Sequence, residues 1–261
     1  MEEVLLPSKI EVTPGEAANT AMLTVEPCYY GYGTTLGNAL RRVMLSSLPG
    51  AAVIAVKINN AQHEFSAVDG VKEDVLEIIL NLKELRMKVH TDEPVRLHLT
   101  AKGAKKVTGA DIQANSDVEV ANPKQHICTL TDKKSEIEMD IFVGRGRGFV
   151  PVEEREEEKL ELGTIAIDAV YSPVREVGYK VENARVGDIT NYDKLVMDIE
   201  TDGTITPKEA VDQTVSILLD YFSMLTDQPV VEGAEAGEEA EEEVDDEEEE
   251  KPKKKTKKAK K

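Results

Sequence analysis

The sequence predicts an α+β fold with mostly antiparallel sheets. Eight segments read as strands, at 8–12, 20–26, 51–58, 95–100, 137–143, 165–171, 177–184 and 194–200. Val95-Arg-Leu-His-Leu-Thr100 and Ile137-Glu-Met-Asp-Ile-Phe-Val143 alternate apolar and polar residues, the period-two pattern of a half-buried strand. Only three segments show good helical spacing, and so many strands with so few helices favour antiparallel pairing over a helix-covered parallel sheet.

The first helix is expected over about 35–48, with Thr34 or Thr35 as its cap and Pro49-Gly50 as its stop, since proline cannot donate to the helical ladder. Leu36, Ala39, Leu40, Val43 and Met44 share one face at helical spacing. The second helix is expected over about 72–83, with Val75, Ile78, Ile79 and Leu82 on one face. The third opens Thr206-Pro207-Lys208-Glu209, a capping box with proline at the first helical position. It carries two apolar stripes, one through Val211, Val215, Leu218, Phe222 and Leu225, the other through Ala210, Thr214, Ile217, Tyr221 and Met224. One stripe suffices to pack a helix on its own domain. A second implies either deep burial or a second surface, for which another copy of the helix is the natural candidate.

The 261 residues allow one large domain or two ordinary ones. Aromatics make up only 4% and Trp is absent, so Leu, Ile, Val and Ala must supply the cores. A formal net charge of −19 disfavours free-standing binding to nucleic acid, which requires cations to neutralise phosphates. Cys28 and Cys128 stand far apart with no Cys-x-x-Cys or Cys/His cluster, and read as reduced, buried thiols. No leader-like segment and no membrane-length apolar run is visible, so the cytoplasm is the expected location. Residues 232–250 carry thirteen Asp/Glu and residues 251–261 eight Lys; such blocks predict a disordered tail, either solubilising or an interaction arm.

Gly31-Tyr-Gly33-Thr-Thr-Leu-Gly37 resembles a phosphate-binding turn but has no Gly-Lys-Ser/Thr, so glycines fitting a tight helix entry account for it better. Gly144-Arg-Gly-Arg-Gly148 reads as a flexible basic loop at an exposed turn, and Glu153–Glu161 as a solvated loop. His63, His90, His98 and His126 show no metal-ligand spacing, and neither a catalytic constellation nor a metal site is expected. On the first helix, Asn38, Arg41, Arg42 and Leu45 form a second face. Arginine forks beside an exposed Leu suit a partner interface, and an ordinary basic face is the plainer alternative.

Thr35-Leu-Gly-Asn-Ala-Leu-Arg-Arg42 followed by Ser46-Ser-Leu-Pro-Gly50 closely resembles the first helix of the alpha subunit of bacterial-type RNA polymerases. His63-Glu-Phe-Ser66, Glu73–Lys83, Arg145–Pro151, Asp168–Val174 and Asp193–Val196 resemble further segments in order, so the likeness covers roughly residues 5–228. It implies a dimerisation domain of 1–50 plus 174–230, interrupted by an inserted domain of 51–173; on chain chemistry alone, Pro49-Gly50 and Ser172-Pro173 read as hinges between them.

It further implies a homodimer that recruits the beta and beta-prime subunits. Leu36, Ala39, Leu40, Val43, Val215, Leu218, Phe222 and Leu225 would form the dimer seam; Arg41, Arg42, Leu45 and Glu77 would meet beta; Lys83, Ile167, Val174 and Lys194 would meet beta-prime. No cofactor is implied in this chain, the magnesium belonging to the catalytic subunit, and DNA would be reached only through the assembled complex. The family continues into a small C-terminal DNA-binding domain where this chain has its charged tail; either the lineage lacks that domain or the chain is truncated, and the first is the expectation. The competing expectation is a self-contained nucleotide-binding enzyme using the 31–37 turn.

Overall fold

The computed structural model describes residues 4–225 except 62, 114, 156–160 and 187–188. The acidic and Lys-rich tail lies outside the described residues. The elements run β1 (Lys9–Pro14), β2 (Thr20–Cys28), α1 (Tyr32–Ser46), β3 (Pro49–Ile58), α2 (Val75–Lys83), β4 (Met87–Val89), β5 (Val95–Lys102), β6 (Lys106–Thr108), β7 (Val118–Val120) and β8 (His126–Thr129). They continue with β9 (Glu136–Arg147), β10 (Phe149–Val150), β11 (Thr164–Ala166), β12 (Ala169–Val170), β13 (Val174–Val186), β14 (Ile189–Thr201) and α3 (Pro207–Met224). The fold is α+β, and all the strand pairs among the described residues are antiparallel.

Two four-stranded sheets organise it, ordered β1-β2-β14-β13 and β11-β3-β9-β5, with three two-stranded ribbons beside them. Each larger sheet has its own core. Leu23, Val25, Leu195, Met197 and Ile199 of the first pack with Leu40, Met44 and Leu48 from α1 and its exit and with Ala210 of α3. Val53, Val56, Leu97, Leu99, Met139 and Ile141 of the second pack with Val75, Ile78, Ile79 and Leu82 of α2. The first core draws on residues 23–48 and 174–210, the second on residues 53–167.

α1 begins three residues early, at Tyr32, behind Gly31, whose φ of 78° is a left-handed conformation that glycine adopts without strain. Neither Thr34 nor Thr35 caps it; the Thr35 hydroxyl instead donates to the Gly31 carbonyl from inside the helix, at 3.2 Å. α1 ends at Ser46, and Pro49 and Gly50 already pair with Arg147 and Gly146, so this junction is a ladder rather than a hinge. Proline is tolerated there as the first residue of the strand.

The Gly144-Arg-Gly-Arg run is likewise strand, the end of β9. Its glycines give room to Tyr171: a Cβ on Gly146 would lie 2.6 Å from the tyrosine ring. Segment 165–171 divides into β11 and β12, which join different sheets. α2 starts at Val75 because Asp74 caps it, its carboxylate accepting the Glu77 amide at 2.7 Å. Of the Glu153–Glu161 run, 153–155 form a 3-10 turn with Val152, and 156–160 lie outside the described residues.

Candidate functional site

The entry of α1 is fixed from β14. The Gly33 amide donates to the Asp193 carboxylate at 3.0 Å, so a negative group already sits where free N–H groups and the helix dipole would attract a phosphate. Gly33, Gly37, Leu40 and Met44 are the buried residues of α1. A Cβ on Gly37 would stand 2.6 Å from the Tyr179 ring and 2.9 Å from Leu195. Gly33 and Gly37 therefore seat the helix closely on its sheet, while Gly31 supplies the left-handed turn into it. The buried edge is rotated from the expected stripe: Leu40 lies in the core of its own chain, Ala39 and Val43 are half-buried, and Leu36 is exposed.

The two arginines of the neighbouring face separate. Arg41 Nε donates to the Val177 carbonyl at 3.0 Å, holding α1 on β13. Arg42 is exposed, and its guanidinium makes no hydrogen bond among the described residues. Leu45, expected to be exposed, is half-buried against the first core. Glu77 is exposed on α2 between Leu76 and Leu80, which are 40% and 55% exposed.

α3 has two fully buried residues, Ala210 and Thr214, and the Thr214 hydroxyl is satisfied by the Ala210 carbonyl at 2.7 Å. Its capping box forms as expected, Thr206 N–H to Glu209 at 2.8 Å and Glu209 N–H back to Thr206 Oγ1 at 3.2 Å. Val211, Ile217 and Leu218 lean on the first core, so the packed edge takes members from both expected stripes. Left outside are Val215, Leu219, Tyr221 and Phe222, with Met224 and Leu225 at the end also exposed. Leu219, which belongs to neither stripe, is 61% exposed.

Lys83 and Asp168 form an ion pair of 2.9 Å across the second sheet's edge. The other Asp168 oxygen accepts the Val152 amide at 3.1 Å, and the Lys83 hydrogen bond, followed by that amide, holds the carboxyl below its ordinary pKa. Ile167 and Val174 are buried in the chain's own cores. A partner would feel them through what they support, Asp168 beside the one and Arg175 beside the other. Lys194 reaches Glu26 at 3.5 Å.

Residues 56–172 match the family model of the RNA polymerase Rpb3/RpoA insert domain. The DNA-directed RNA polymerase subunit alpha of Alkaliphilus oremlandii is 49% identical over 223 residues, 84% of this chain and 70% of that protein. The chain belongs to the RNA polymerase alpha-subunit family. A second relative, the alpha subunit of Oceanobacillus iheyensis, is 48% identical over 231 residues, 87% of this chain and 73% of that protein.

As an alpha-family chain it acts within a polymerase complex, and the exposed groups above are the surface it can offer there. The insert match takes in α2, the Lys83–Asp168 pair and a buried carboxylate, Glu73. Burial pushes the Glu73 carboxyl up. The Thr129 amide at 2.6 Å, His126 at 3.1 Å and the Thr129 hydroxyl at 2.9 Å together outweigh that and hold it below its ordinary value. These bonds tie the entry of α2 to β8. Both cysteines are free and buried, and burial pushes the Cys128 thiol up to about 12, far from a reactive thiolate. Among the described residues no three His, Cys, Asp or Glu side chains are grouped to hold a metal, and no helix is long and apolar enough to cross a membrane.

Proposed function

We propose that two copies of this chain pair through α1 and α3, and that the pair is the scaffold on which beta and beta-prime assemble for transcription in the cytoplasm. The outer face of α3 carries this reading. Leu219 and Phe222 are 61% and 57% exposed beside Val215 and Tyr221, on a helix that spends only two residues on full burial. Covering apolar surface yields about 25 cal/mol per Å², and an isologous contact between identical helices supplies such a cover without a new sequence. Leu36 adds exposed apolar surface on α1.

In this reading the dimerisation domain comprises 1–50 and 174–230 and the inserted domain 51–173, a division the two separate cores support. Arg42, with Leu45 and Glu77, meets beta, while Arg41 acts by anchoring α1. Lys83, Ile167, Val174 and Lys194 mark the beta-prime side. The chain contributes no polymerising residue; the magnesium site belongs to another subunit, and DNA is reached through the complex.

The test is co-expression with beta and beta-prime chains followed by a mass measurement. Two copies of this chain with one of each large subunit is the expected result; a complex holding a single copy contradicts the proposal.

A further inference from the structure

Just beyond α2, a pocket lined by Glu84, Arg86, Gln125, Ser172, Val174 and Arg175 holds two guanidinium groups. The chain has 51 acidic side chains against 32 Lys and Arg, yet neither of these guanidinium groups makes a hydrogen bond or ion pair among the described residues, and Arg86 Nε is buried without an acceptor. A buried donor left unpaired is costly, and burial followed by partial compensation from Asp202 and repulsion from Arg175 leaves the Arg86 pKa below its ordinary value.

Both arginines are held where they are. The Arg86 backbone is pinned by Asn122 and Ala121, at 2.7 and 2.8 Å, between the buried Leu85 and Met87. Arg175 is the extra residue of a bulge in β13, between the Val174–Thr201 and Glu176–Glu200 pairs, and a bulge of this kind re-aims a side chain. The nearby acids are engaged elsewhere. Glu84 accepts from Gln125 at 2.8 Å, and Asp202 accepts the Thr204 amide at 2.8 Å.

We propose that Arg86 and Arg175 form a seat for a carboxylate from an Asp or Glu of the large subunit that covers Val174. A planar carboxylate matches a guanidinium fork, and two forks at one pocket bind a single carboxylate from two sides. The seat rests on the reading above that places beta-prime on this side, and adds to it the chemistry of the contact: acid on the partner, arginine here.

The experiment uses the full chain co-expressed with beta and beta-prime. Arg86→Gln with Arg175→Gln should weaken beta-prime capture about tenfold to a hundredfold, most at low salt, with self-association and beta capture unchanged. Arg175→Gln alone, at an exposed position, should give part of that loss and keeps the test open if the double variant misfolds. Lys194→Ala serves as the control for the surface itself. If Lys194→Ala weakens beta-prime capture while the arginine variants leave it intact at every salt concentration, the seat is refuted and the surface stands. If none of the variants alters capture, both are refuted. If inorganic phosphate raises the melting temperature of the parent but not of the arginine variants, and capture is unaffected, the pocket takes a free anion and the protein-carboxylate proposal is overturned.

Discussion

The amide of Gly33 donates to the carboxylate of Asp193 at 3.0 Å, so the first helix is fastened at its N-terminus by a strand 160 residues later in the chain. The contact does the work of a side-chain cap, which Gly31 cannot supply. Asp193→Ala should cost about 1 kcal/mol of unfolding free energy, the usual worth of a cap, with a smaller loss for Asp193→Asn. Urea denaturation followed by circular dichroism measures both.

Gly37 packs under Tyr179 and beside Leu195. Alanine in a helix interior normally gains up to about 1 kcal/mol over glycine. Here the added methyl meets a ring at 2.6 Å, and overpacking of that kind costs about 1–3 kcal/mol. Gly37→Ala should therefore lower the melting temperature, and Tyr179→Leu in the same chain should restore part of the loss.

Glu73 makes stability sensitive to acid. Its folded pKa lies below the ordinary 4.5, so its contribution is fully present above about pH 4.5 and fades as the pH falls through the lower folded value. Glu73→Gln should flatten that part of the stability–pH curve. Glu73→Ala leaves the Thr129 amide and hydroxyl unpaired and should cost about 2–3 kcal/mol at neutral pH. Denaturant midpoints at about five points, one unit apart from pH 3 to pH 7, test the sign.

Arg41 and Arg42 should respond differently. Arg41→Ala removes the bond to the Val177 carbonyl and should lower stability by about 1 kcal/mol. Arg42→Ala, at an exposed position, should leave stability and self-association intact yet weaken beta capture in co-purification. Equal behaviour of the two variants in the capture assay would contradict this division.

Much of this was legible in the sequence, and the misses have physical causes. Period-two alternation located β5 and β9, and Thr206 with Glu209 located the start of α3. The closest approach of α1 to the sheet is made by Gly33 and Gly37, which a stripe of Leu and Val does not mark. The end of β9 was hidden because Gly-Arg repeats have loop composition, and only Tyr171, far along the chain, explains why glycine is needed there. The ribbon strands β4, β6 and β7 are three residues each, too short to show a period. Arg86 and Arg175 meet only through tertiary structure, so no local pattern joins them. The sequence likewise could not separate Arg41 from Arg42, since the acceptor that distinguishes them is a backbone carbonyl on β13.

The central claim is that α3 joins two copies, and sedimentation equilibrium of the full chain at micromolar concentration tests it most directly. The expected mass is twice the 28.7 kDa of one chain, falling to a single chain in Leu219→Glu or Phe222→Glu with the far-ultraviolet spectrum unchanged. A parent mass of 28.7 kDa across the whole concentration range, or a dimer that both substitutions leave intact, would contradict it.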